Sequence, residues 1–99
     1  MKVITIEPCF TKNEDELYSG EAELGDIRIT PEAVDKLREL FEGVQVTPDN
    51  DMLVLTNLPV EKIIVFGTGR AIIRRIASEE LAVERFRMLE RVLRGKRVS

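Results

Sequence analysis

A chain of 99 residues, 43% hydrophobic and 33% charged, is sized for one domain, 1–99, with a modest core, and it carries no linker, repeat or low-complexity segment. Its net charge of −3 divides into 12 acids and 5 bases over residues 1–50 against 6 acids and 10 bases over residues 51–99, so an anionic partner is expected at the second half. One cysteine, Cys9, and no histidine exclude an internal disulfide framework, a multi-cysteine metal site and a histidine-based triad, and no apolar run is long enough for a membrane span.

In chain order, Lys2 followed by Val3-Ile4-Thr5-Ile6-Glu7 alternates as a β-branched strand and reads as no signal peptide. The strand is expected to stop at Pro8, and the location to be cytoplasmic. Thr11 to Leu17 is an acidic turn or loop; "YSGEAEL" and "DIRI" show a weaker period of two. Thr30 is a good N-cap with Pro31 at the first helical position and Glu32 in the first turn. Val34, Leu37, Leu40 and Phe41 then form one apolar face before Gly43 ends the helix. "VQV" and "DMLVLTNL" flank the turn signal Pro48-Asp49-Asn50, and Pro59 closes the second strand. Ser78 caps a last helix whose apolar side is Ala82, Val83, Phe86, Leu89, Val92 and Leu93, with Gly95 as its stop. Arg85, Arg87, Arg91 and Arg94 with Glu84 and Glu90 are its polar face.

The stretch "KIIVFGTGRAIIRR", Lys62 to Arg75, poses a choice. A dinucleotide loop needs a third glycine where Ile72 stands, and a helix opening at the turn. Continuing one helix back from the Phe86 face would place Arg75 and Glu79 in its apolar stripe. Two strands joined by a turn at Gly67-Thr68-Gly69 are therefore expected, with glycines supplying positive φ. The result is an α+β domain: an antiparallel sheet of about five strands with two helices packed on one face.

"IVFGTGRAIIRRIAS", Ile64 to Ser78, with "AELGDI" before a helix, resembles one half-repeat of the TATA-binding protein family. The likeness covers about residues 19–94. It implies the strand, helix, strands and long helix of that repeat. In the family, two halves make a saddle whose sheet lies in the DNA minor groove and kinks it with inserted phenylalanines. The resemblance places Phe66 at one inserted phenylalanine and Met52 where the other is expected. Strand alternation sets Thr68, Arg70, Ile72 and Arg74 on the same face as Phe66. The chain departs from the pattern at Arg74, where the family has Thr, at Arg75, where it has Gly, and at Leu17, near the expected base-reading Asn. A fainter likeness, in Ile6 to Cys9 and the final strand and helix, is to an amino-terminal domain of iron–sulfur proteins from archaea and bacteria. The four-cysteine domain of those proteins has no counterpart here, and one cysteine cannot hold a cluster. The excess of charged over amide residues is compatible with a thermophilic source, and the iron–sulfur likeness implies an archaeal one as an option.

Each singled-out group has two readings. Cys9 is a small hydrophobe or a nucleophile. Phe66 packs in the core or a dimer, or wedges into DNA. Arg74 and Arg75 are solvated edge charges or an anion site. Asn13 to Glu16 is a solvated acidic loop or a hard-cation site. No acid and base stand at catalytic spacing, so no enzyme activity and no cofactor or metal are expected. Ile64, Phe66 and Ile72 would leave an apolar patch on the uncovered face, and such patches mark association. The leading expectation is a small binding module acting through that face, Met52, Ile64, Phe66, Thr68, Arg70, Ile72 and Arg74, as a homodimer or with a protein partner. The alternative is minor-groove or nonspecific nucleic-acid binding by a homodimer, favoured by Arg70, Arg74, Arg75, Lys96 and Arg97 and opposed by the acidic first half.

Overall fold

The computed structural model describes residues 1–9, 17–57 and 61–94, with Cys9 as backbone only. The readings made of the Cys9 side chain, of Thr11–Glu16, of Pro59, of Gly95 and of Lys96 and Arg97 lie outside it. Eight elements follow one another: β1 Lys2–Cys9, β2 Leu17–Glu23, α1 Pro31–Leu40, β3 Gly43–Val46, β4 Met52–Asn57, β5 Glu61–Phe66, β6 Arg70–Ile76 and α2 Glu79–Leu93. The six strands form one antiparallel sheet in the order β1-β2-β6-β5-β4-β3. The sheet thus has six strands rather than about five. The first strand also runs on through Pro8, which pairs with Tyr18. A proline is tolerated there because β1 is an edge strand.

Both helices start as their caps dictate. Thr30 Oγ1 accepts from the Ala33 N–H at 3.1 Å, and Ser78 Oγ accepts from the Leu81 N–H at 3.1 Å, each satisfying an orphan donor of the first turn. Helix α1 buries Ala33, Val34 and Leu37 and ends at Leu40, with Phe41 already extended at φ −125° and buried. Gly43 therefore opens β3 instead of stopping the helix. Leu40, expected on the apolar face, is 50% exposed. Helix α2 buries Ala82, Phe86, Leu89 and Leu93, and Val83 and Val92 are half-buried.

One core joins these helices to Leu53, Leu55, Ile63, Val65, Ala71 and Ile73 of the sheet, all 0% exposed. These residues alternate along β4, β5 and β6, so their neighbours point to the opposite face. Arg85 does more than solvate α2. It is half-buried, donates to Glu61 at 2.8 Å and stands over the Phe41 ring at 5.9 Å, tying α2 to β5 and to the end of α1.

Two bulges set which residues reach the core. On β1 the register shifts between Val3 and Thr5, so Val3 and Ile6 both pack toward the core while Ile4 is 54% exposed. On β6, Arg74 and Arg75 oppose the single residue Ser19 of β2, and Arg75 takes φ +62°. Simple alternation would turn Ile76 away from the core; the extra residue turns it back, and Ile76 is 1% exposed.

Candidate functional site: the open sheet face

The turn at Gly67-Thr68-Gly69 is the hairpin connection of β5 and β6. The Gly69 N–H donates to the Phe66 carbonyl at 2.9 Å, and Gly69 has φ +107°. This is a four-residue turn closed by a glycine bulge. Only Gly69 supplies a positive φ, and no helix opens here to face a phosphate. Gly69 also receives the β2–α1 connection: its carbonyl accepts from the Leu24 N–H at 2.7 Å, and a Cβ on it would meet the Gly25 carbonyl oxygen at 2.5 Å. Thr68 is exposed in this turn, outside both strands, so alternation does not set it on the Phe66 face.

The strand register lays the remaining candidates out as a grid. Across the middle run Glu21, Ile72, Ile64 and Val54, each paired with the next. To one side Arg74 faces Lys62, and Lys62 faces Thr56. To the other side Glu23 faces Arg70 on β2 and β6, and Phe66 faces Met52 on β5 and β4. Met52, Val54, Ile64, Phe66 and Ile72 are half-buried, and none packs against the core beneath. They form a continuous apolar patch that no described element covers.

Charges frame this patch. Arg70 is bound to Glu21 through a guanidinium–carboxylate contact. Arg70 and Arg74, which flank Ile72 in the sequence, are therefore not an equivalent pair. The cation beside Arg74 is Lys62, its cross-strand neighbour. Like charges directly opposite each other destabilise a sheet unless an anion offsets them. Local sequence does not single out Lys62 and Val54 as site residues, because only the register of β4, β5 and β6 brings them beside Arg74 and Ile64. A shallow depression of about 390 Å³ adjoins Ile72, Arg74, Glu7 and Glu21, and another of about 480 Å³ adjoins Met52 and Phe66. Neither is enclosed, and no group of three or more metal-ligating side chains occurs among the described residues.

Comparisons with models of protein families, with curated proteins and with solved structures find no match to this chain. The functional reading therefore rests on the face itself. Among the described residues, no helix is long and apolar enough to cross a membrane.

Proposed function

We propose that this protein is a small non-enzymatic binding module that acts through its open sheet face, by pairing with a second copy or by holding a protein partner. The observation that carries the reading is the uncovered patch of Met52, Val54, Ile64, Phe66 and Ile72, since contiguous apolar surface on a small domain marks association. The finer likeness to a TATA-binding-protein half-repeat draws support from two features. From β2 onward the elements run strand, helix, four strands and a 15-residue helix. The position where that family has Gly, Arg75, carries a backbone conformation that glycine adopts without strain.

A nucleic-acid reading is favoured by the Lys62 and Arg74 pair, placed to meet a phosphate. It is opposed by the balance of the face. By the register, the open face presents Lys2, Lys62, Arg70 and Arg74 against Glu7, Glu21 and Glu23, which is four cations against three anions and a net +1. Binding to duplex that weakens steeply with salt would favour this second reading.

Methyl NMR tests the leading reading. Association is expected to shift the methyls of Val54, Ile64 and Ile72 and to leave those of Ile63 and Ile73, on the opposite face, in place. Shifts concentrated on α1 and α2 would refute it.

A further inference from the structure

We infer that the occupant of the open face is a second copy of this chain, packed face to face about a two-fold axis that runs diagonally across the sheet from Ile72 to Met52. This rests on the reading of the face as a binding surface and adds the partner and its register.

The charge layout carries the inference. Neighbouring strands lie about 4.8 Å apart and alternate residues on one strand about 6.8 Å apart. On a grid of that spacing, with the pairings Glu21–Ile72–Ile64–Val54, Glu23–Arg70, Arg74–Lys62 and Phe66–Met52, the apolar residues straddle one diagonal. The cations Lys62 and Arg74 lie on one side of it; the anions Glu21 and Glu23 lie on the other, together with Arg70, which is paired with Glu21. Rotation about the diagonal sets Ile72 over Ile72 and Met52 over Met52 of the second copy, and Val54 within about 3 Å of Phe66 in projection. The same rotation brings Glu23 directly over Lys62, and Glu21 within about 3 Å of Arg74. A face that is self-complementary in this way is what an isologous interface requires. The strands of the two sheets would cross at about 70°, toward the orthogonal class of sheet packing. The like-charged Lys62–Arg74 pair gains the Glu23 carboxylate and comes close to that of Glu21, which Arg70 of the same chain already holds. A face buried this way is also closed to a nucleic-acid groove.

Glu23 and Lys62 make the decisive test because both are exposed and lie about 17 Å apart within one chain on this grid, so they can compensate only across an interface. Circular dichroism first establishes that E23K and K62E keep the fold. In sedimentation equilibrium each variant alone is expected to dimerise at least tenfold more weakly than wild type, because each homodimer opposes like charges twice. An equimolar mixture of the two restores both pairs and is expected to recover wild-type affinity. A mixture as weak as its components, or single variants that dimerise like wild type, would overturn the inference. A wild type that is monomeric at 100 μM would also overturn it, while leaving the face to a different protein. A dimer that survives Phe66→Asp would instead overturn the reading of the face itself.

Discussion

Replacing Arg75 with glycine is expected to stabilise the protein. Arg75 holds φ +62° at the bulge of β6, where a Cβ is strained by about 1–2 kcal/mol. Glycine removes that strain but adds unfolded-state entropy worth about 0.5–1 kcal/mol. The net gain is therefore about 0–1.5 kcal/mol, and because the Arg75 side chain is exposed its removal offsets little of this. For a domain of 99 residues a gain of 1 kcal/mol raises Tm by about 4–8 °C. Urea and thermal unfolding of Arg75→Gly and Arg75→Ala separate the causes. Alanine keeps the Cβ and is expected to gain nothing, so equal stability of the two variants would refute the role assigned to the backbone. Chains tolerate this strain because the bulge performs two tasks. It leaves Arg75 in solvent and returns Ile76 to the core; burying an isoleucine is worth about 1.5–3 kcal/mol.

Gly69→Ala should have the opposite sign. It combines φ +107° with a 2.5 Å approach to the Gly25 carbonyl oxygen, and a loss of about 1–3 kcal/mol is expected from the backbone alone; unfolding with unchanged midpoint would contradict the assignment of this turn. The Glu90 carboxylate accepts from the Met1 ammonium at 2.8 Å. That bond, with the charge of the ammonium and of Arg94 and Arg87, holds its pKa below the ordinary 4.5 against the opposing effect of burial. A depressed folded-state pKa gives stability that is complete above pH 4.5 and lost as pH falls through the lowered value. Wild type should therefore exceed Glu90→Gln by at most about 1 kcal/mol at neutral pH, with the difference vanishing in acid; a constant difference across that range in chemical denaturation would count against the ion pair.

What could be read from the sequence was local. Thr30-Pro31 and Ser78-Glu79-Glu80 place the helix starts because capping is a matter of adjacent residues, and Gly67-Thr68-Gly69 marks its hairpin for the same reason. The choice of Phe66, Ile64 and Ile72 as one face follows from alternation, which the register of β5 and β6 bears out. Relations between strands were not legible. The bulges at Ile4 and Arg75 each change the parity of a strand, and no local rule forces an arginine to a positive φ. Alternation along one strand puts Arg70 and Arg74 on one face, whereas cross-strand neighbours give Arg70 to Glu21 and Arg74 to Lys62. Leu40 kept the helical period, yet the helix ends there and Phe41 takes the buried position.

The most direct measurement of the central claim, that the open face is the surface of association, is the mass of wild type and Phe66→Asp by sedimentation velocity from 1 to 100 μM. Phe66 is half-buried in the uncovered patch and lies outside the core, so the variant should keep its fold. The wild type is expected to approach twice the 11.3 kDa of one chain as concentration rises, and Phe66→Asp to remain at the monomer mass throughout. A Phe66→Asp protein that unfolds, or one that associates as the wild type does, would contradict it.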